Sequence, residues 1–311
     1  MNKIMKILQL RSIFEVLPNE FINGVYAIGS FDGIHLGHKE ILQETKKLAN
    51  ALGSFAGVIL FNPHPKEYMG YLSNAFITSN NQQINEIAKL GIDKILILPF
   101  AEVQCLNAQS FVEDILKNKL QIKGLVSGEN FYFGSNKTGS VAYLKEVSPS
   151  IPFKYICVAN VLVNNKVCSS SIIRLLIQEG KVEDITSYLG RNFIVESTVI
   201  HGNKRGRTLG FPTANLNINN YISLKYGVYA VNLYVDGITY TGIANFGMRP
   251  SIKEEKTELL EVNIFDFSEN IYDKQVSVEF LYFIRAEQKF ESLDALMQQI
   301  QQDVILVKNR E

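Results

Sequence analysis

A change of hydrophobic rhythm part way along the chain constrains the fold more than any other feature. From about Gly24 to Val163, short apolar runs (GVYAIGS, FAGVILF, KILILPF) alternate with amphipathic stretches (GHKEILQETKKLANAL, AQSFVEDILKNKL). Continuous apolar runs of strand length suit a parallel sheet covered by helices on both faces, so this half reads as α/β. In the first amphipathic stretch Ile41, Leu42, Thr45, Leu48, Ala49 and Leu52 recur at helical spacing, leaving Lys39, Glu40, Glu44 and Lys46 for solvent. Ligands of such sheets bind beyond the carboxyl ends of the strands, which points to the loops after GVYAIGS and FAGVILF.

Past Gln178-Glu179-Gly180 and a helical piece ending near Leu189-Gly190, a period of two takes over. YGVYAVNLYVDGITYTGIANFG alternates about Asp236-Gly237, a hairpin signal, and EVNIFDF and VSVEFLYFI supply further strands. SLDALMQQIQQDVILV sets Leu293, Leu296, Met297 and Ile300 on one face of a closing helix. The expected organisation is an α/β domain over residues 1–183 and a mainly antiparallel β domain over 184–311, and a length of 311 residues favours two cores.

Composition narrows the function. Lys plus Arg equals Asp plus Glu at 31 each, which argues against a broad cationic surface for nucleic acid or an anionic membrane. Phosphate binding must then be local. No segment approaches the roughly 20 apolar residues of a membrane span. Cys105, Cys157 and Cys168 form no CxxC pair and cannot all be bridged within the chain, which fits reduced thiols and a cytoplasmic location.

The first apolar run leads straight into Phe31-Asp32-Gly33-Ile34-His35-Leu36-Gly37-His38, where a helix begins. A helix start presents N–H groups and positive dipole, Gly33 and Gly37 allow close approach of a polyphosphate, and His35 and His38 can donate to charge on phosphorus. A lone HxGH is read equally well as an exposed polar loop. Asn62-Pro63-His64-Pro65 follows the second run, and Gly128-Glu129-Asn130-Phe131-Tyr132-Phe133-Gly134 lies further on. Ser169-Ser170-Ser171-Ile172-Ile173-Arg174 sits at a helix start where hydroxyls and a guanidinium can meet phosphates. In the second half His201-Gly202-Asn203-Lys204-Arg205-Gly206-Arg207-Thr208-Leu209-Gly210 precedes Phe211-Pro212-Thr213-Ala214-Asn215. Its charges suit a phosphate loop, a solvated loop or a nucleic-acid patch, and no array of stacking aromatics accompanies them.

The HxGH box after a first strand resembles the nucleotidyltransferase superfamily. The longer string GSFDGIHLGHKEIL, followed in order by NPHP, GENFYFG and SSSIIR, is similar to the adenylyltransferase domain of the prokaryotic bifunctional riboflavin kinase and FAD synthetase family. GRTLGFPTAN, ANFGMRP and LEVNIFDF resemble that family's kinase domain, and the likeness runs from about Val25 to Asp303. It implies a Rossmann-like nucleotidyltransferase domain followed by a six-stranded antiparallel β-barrel kinase domain. The second would phosphorylate riboflavin to FMN and the first would adenylylate FMN to FAD with release of pyrophosphate, both using ATP with Mg2+.

Carried onto this chain, the resemblance implies that His35, His38 and Arg174 act in adenylyl transfer. Gly29, Phe31, Asp32, Gly33, Gly37, Asn62, His64, Asn130, Phe131, Ser170 and Ser171 would contact nucleotide or flavin. Gly202, Lys204, Gly206, Arg207, Gly210 and Pro212 would form the kinase nucleotide loop, with Thr213 and Asn215 holding magnesium. Glu261 would be the general base, and Arg285 with Asp303 would lie near the flavin. Ser171 replaces a common Thr but keeps the hydroxyl, Lys137 and Ser140 stand where many members have Arg and Asp, and Asn263 replaces a common His. Two rivals stay open here: one domain alone active, or a flavin-binding regulator without chemistry.

Overall fold

The computed structural model describes residues 4–70, 76–201, 211–249 and 257–310. By packing, the chain divides into one unit of Met1–Ser73 with Asn80–Ser169 and a second of Asn74–Ser79 with Ser170–Glu311.

The first unit begins with β1 (Lys6–Gln9), β2 (Val25–Ile28), α1 (Leu36–Ala51), β3 (Ala56–Asn62) and α2 (Pro65–Tyr68). After α3 (Asn80–Lys89) come β4 (Lys94–Pro99), α4 (Phe100–Val103) and α5 (Ala108–Ser110), which runs on as a π-helix over Phe111–Lys119. β5 (Gly124–Gly128), the small pair β6 (Tyr132–Phe133) and β7 (Gly139–Ser140), α6 (Val141–Val147), β8 (Lys154–Val158) and a second pair, β9 (Leu162–Val163) and β10 (Lys166–Val167), complete it. The main sheet has the order β1-β4-β3-β2-β5-β8 with every pairing parallel. From β2 the chain steps outward through β3 to β4 on one side, and from β5 to β8 on the other. Winding therefore reverses between β2 and β5, where ligands of open α/β sheets bind.

Alternation explains why these strands read as unbroken apolar runs. Tyr26, Ile28, Ile59, Leu96 and Leu98 pack with Phe111 and Leu116 of the π-helix in one buried cluster. Val25, Ala27, Val58, Leu60 and Ile95 pack with Leu42 and Leu48 of α1 in another. Both faces are covered, as the sequence reading requires.

The second unit contains α7 (Ser170–Glu179), α8 (Val182–Leu189), β11 (Phe193–Ile200), β12 (Thr213–Leu216), β13 (Gly227–Val235), β14 (Ile238–Arg249), β15 (Thr257–Ile264), β16 (Gln275–Ala286) and α9 (Leu293–Lys308). The six strands close a barrel in the order β11-β12-β15-β14-β13-β16, with antiparallel pairing throughout. Phe193, Leu216, Tyr229, Phe246, Leu260 and Phe280 are fully buried side chains of its strands. Asp236 and Gly237 both have positive φ, 52° and 80°, as a type I′ hairpin turn between β13 and β14 demands. Outside the barrel, α9 lays Ile300, Val304 and Val307 over Val228, Ala230 and Ile243.

The expected domain boundary falls at 183/184, whereas packing divides the chain after Ser169. The segment between is helical like the half before it, but α8 packs on β11 and β16, and the Ile177 carbonyl of α7 accepts the Lys225 N–H at 3.3 Å. Residues 76–79 also join the second unit. Phe76 bridges Tyr221 in parallel, its carbonyl accepts the Ile222 N–H at 2.9 Å, and Ile77 is fully buried.

Candidate active sites

The loop from β2 to α1 leaves the sheet at the reversal point, and its backbone is unusual. Phe31, Gly33 and Ile34 have φ of 51°, 89° and 44°. Positive φ at a β-branched residue is costly, and such strain concentrates at functional sites. Phe31, Asp32, Ile34 and His35 are all buried, so this is no exposed polar loop. His35 caps α1: its Nδ1 accepts the His38 N–H at 3.3 Å, and the two imidazoles stack with centroids 3.6 Å apart. The Phe31 ring meets His38 edge-on at 5.1 Å.

Burial pulls the His35 pKa down to about 4. The ring is neutral at pH 7, and with Nδ1 accepting, the cap assigns the proton to Nε2, a donor. A Cβ on Gly37 would come within 3.1 Å of the His35 ring, so the packing of HxGH itself calls for glycine there. The Cys168 thiol takes hydrogen bonds from the backbone of Leu36 and Gly37, while burial raises its own pKa. The first three amides of α1 thus have partners inside the unit.

The other loops of this unit lie at the same carboxyl edge, after β3 and β5, the strands on either side of β2. Gly29 directly follows β2. Asn62 ends β3 exposed, and His64 caps α2 by accepting the Lys66 N–H on Nδ1 at 3.2 Å. After β5, Asn130 donates to the Asn160 Oδ1 at 3.3 Å and the Phe131 ring stacks on Phe133 at 5.4 Å. Ser140 caps α6, its Oγ accepting the Tyr143 N–H at 3.2 Å. Asp would fill that role equally well, which accounts for one departure from the family pattern. Lys137 places its Nζ 5.9 Å from the Tyr132 ring. Ser170, Ser171 and Arg174 stand on α7 in the second unit, with Arg174 buried.

The second site lies on the outer face of the barrel. Register sets Glu261 of β15 between Asn215 of β12 and Asn245 of β14, and sets Asn263 opposite Thr213. The row continues through Val228 of β13 to Arg285 of β16. These positions alternate with Leu216, Ala244, Phe246, Leu260 and Val262, all buried. Asn215 is buried and its Nδ2 donates to the Thr213 carbonyl at 3.4 Å, leaving Oδ1 as an acceptor. Asn263 donates to the Pro212 carbonyl at 2.8 Å, tying β15 to the residue before Thr213. The Thr213 hydroxyl and the Asn215 carboxamide oxygen are hard oxygen donors of the kind magnesium prefers.

Arg285 grips Asp303 of α9, with Nε at 3.1 and 3.0 Å from the two carboxylate oxygens and Nη2 at 2.8 Å from Oδ2. That guanidinium pins α9 to the barrel. Gly202, Lys204, Gly206, Arg207 and Gly210 lie outside the described residues. Sequence reasoning gave no role to Cys168 or Asn245. Cys168 stood too far along the chain from the helix it caps, and Asn245 meets Glu261 only through strand register, which no local pattern reveals.

A doubly wound parallel sheet with a capped HxGH helix at its reversal point, and a closed barrel with a Thr–Asn–Glu outer face, define a nucleotidyltransferase-type domain joined to a phosphotransferase barrel. The families described as FAD synthetase and riboflavin kinase match residues 18–172 and 189–310. The chain is 38% identical to the bifunctional riboflavin kinase/FMN adenylyltransferase of Buchnera aphidicola subsp. Schizaphis graminum, over 92% of this chain and 93% of that one. Identity to the proteins of the same name is 34% in Bacillus subtilis, covering 96% of each chain, and 31% in Escherichia coli K12, covering 91% of each. The chain belongs to the bifunctional riboflavin kinase/FMN adenylyltransferase family. A crystal structure from Streptococcus pneumoniae titled macrolide-efflux protein superposes with a TM-score of 0.87 at 29% identity, over 98% of this chain and 99% of that one. Among the described residues here, no helix is long and apolar enough to cross a membrane.

Proposed function

We propose that this chain makes both flavin coenzymes, phosphorylating riboflavin to FMN on the barrel and adenylylating FMN to FAD at the reversal point of the parallel sheet. The observation that supports the reading is that two family models, FAD synthetase over residues 18–172 and riboflavin kinase over 189–310, match successive parts of the chain, one for each reaction.

On the barrel, Glu261 accepts the proton of the terminal ribityl hydroxyl as that oxygen attacks the γ-phosphorus of ATP and ADP leaves. Thr213 and Asn215 Oδ1 would hold Mg2+, which when bound offsets charge on the phosphates. Asn263, through the Pro212 carbonyl, holds the start of that strand in place.

In the first unit, a phosphate oxygen of FMN attacks the α-phosphorus of ATP and pyrophosphate departs. The nucleophile is already anionic, so the protein's task is to position it and to stabilise charge. His35, donating from Nε2, and His38 stacked upon it serve that role, with Asn62, His64, Asn130 and Phe131 shaping the flavin side. The three free thiols are in keeping with a cytoplasmic enzyme.

Product analysis after incubation with riboflavin, ATP and Mg2+ tests the reading: FMN should accumulate first and FAD follow, and supplied FMN should release pyrophosphate. FMN alone would leave only a kinase, and flavin binding without turnover would leave only a regulator.

A further inference from the structure

We infer that Asn245 is a substrate-contacting residue of the kinase site, recognising ribityl hydroxyls beside the one that Glu261 deprotonates; this rests on the reading of Glu261 as base. Register places Asn245 directly opposite Glu261 on the neighbouring strand and on the same outer face. Side chains so paired stand roughly 5 Å apart at Cβ.

Its surroundings set it apart from a packing residue. Val228 across β13, and Ile243 two positions along β14, face the same way and are buried among the apolar side chains of α9. Asn245 is half-buried at the edge of that apolar cover, where the polar row emerges. The two carboxamides beside Glu261 are committed, Asn215 to the Thr213 carbonyl and Asn263 to the Pro212 carbonyl. The Asn245 carboxamide makes no hydrogen bond to any described residue. A half-buried amide in that state keeps both its donor and its acceptor available to a bound molecule.

The chemistry of the neighbours says what that is. Thr213 and Asn215 flank Glu261 on the β12 side, where the nucleotide phosphates belong. The acceptor hydroxyl must lie between Glu261 and the transferred phosphoryl group, so the rest of the acceptor chain extends toward β14. A run of hydroxyls both donates and accepts, and a carboxamide matches it with one group of each kind.

The test uses the full chain carrying Asn245→Ala, with riboflavin and its 2′-, 3′- and 4′-deoxyribityl analogues as substrates. The variant should lose about 10- to 100-fold in kcat/KM for riboflavin, chiefly through KM, with KM for ATP within about twofold of native. The native protein should discriminate against at least one deoxy analogue, and the variant should treat that analogue and riboflavin alike within about threefold. FAD formation from supplied FMN and the melting curve report that the chain is folded, and Asn245→Ser carries the same test if the Ala variant fails to fold. Unchanged riboflavin kinetics, or discrimination equal to native, overturns the inference. Glu261→Gln is measured in parallel: retained kinase activity there removes the base reading, whereas its loss beside unaltered Asn245→Ala kinetics removes only the Asn245 role.

Discussion

His35 ties the stability of the first unit to pH. Its folded pKa of about 4 lies below the ordinary 6.5 because burial disfavours the imidazolium. Above pH 6.5 both folded and unfolded chains are neutral at this ring and its contribution is fully present. As pH falls from 6.5 toward 4, the unfolded chain takes up a proton that the folded chain refuses, and at pH 5 about 2 kcal/mol is lost. His35→Asn keeps a good helix cap without a titrating ring. Urea unfolding at pH 7 and pH 5 should show native protein losing about 2 kcal/mol more than this variant, and equal losses would contradict it. Asn263 carries a second prediction at this scale. Asn263→Ala strands the Pro212 carbonyl and should raise the kinase KM for ATP several-fold, at a cost of about 1–2 kcal/mol in stability. Asn263→His, which restores a donor, should recover most of the affinity in steady-state kinetics; a variant pair with identical KM would remove the positioning role. The histidines were legible in the sequence because His35, Gly37 and His38 are contiguous. Asn245 was not, because the turn at Asp236-Gly237 sets the register of β13 with β14 but says nothing about β14 with β15.

Elements were read with uneven success, for reasons that lie in periodicity. The amphipathic spacing of α1 announced a helix and its buried face, but the partner of its Leu36 and Gly37 amides is Cys168, far along the chain. The stretch AQSFVEDILKNKL was read as a helix, yet Phe111–Lys119 is π-helical. Its buried residues Phe111, Val112, Ile115 and Leu116 fit a period of 3.6 as well as a wider one. The closing helix α9 follows from the spacing of Leu293, Leu296, Met297 and Ile300, but Leu293 is exposed and the packed face is Ile300, Val304 and Val307; the Arg285–Asp303 pair, with Asp303 only 3% exposed, fastens it. Gln299 adds a hydrogen bond to the same carboxylate at 3.0 Å. Arg285→Ala leaves that carboxylate without its cation and should destabilise the barrel by about 3 kcal/mol, as breaking a buried pair typically does. Denaturant unfolding followed by circular dichroism measures this. A variant as stable as native would show that Arg285 does not hold α9.

At the scale of the whole molecule, the sequence announced two cores and their architectures, since a parallel sheet and an antiparallel barrel leave different rhythms. It could not say which core claims α7 and α8, because helical periodicity reports a buried face and not what buries it. Nor did it mark residues 76–79, whose one fully buried side chain, Ile77, has no periodic neighbours to reveal it. The central claim is a division of labour in which one core carries adenylyl transfer and the other phosphoryl transfer. The most direct test compares native protein, His38→Ala and Glu261→Gln, each given riboflavin with ATP and, separately, FMN with ATP, with melting curves to exclude unfolding. The account predicts that His38→Ala forms FMN normally while FAD formation falls about 100-fold or more. It predicts that Glu261→Gln loses roughly 10²- to 10⁴-fold in riboflavin phosphorylation yet converts supplied FMN to FAD at the native rate. Equal loss of both activities in either folded variant, or full kinase activity in Glu261→Gln, would contradict it.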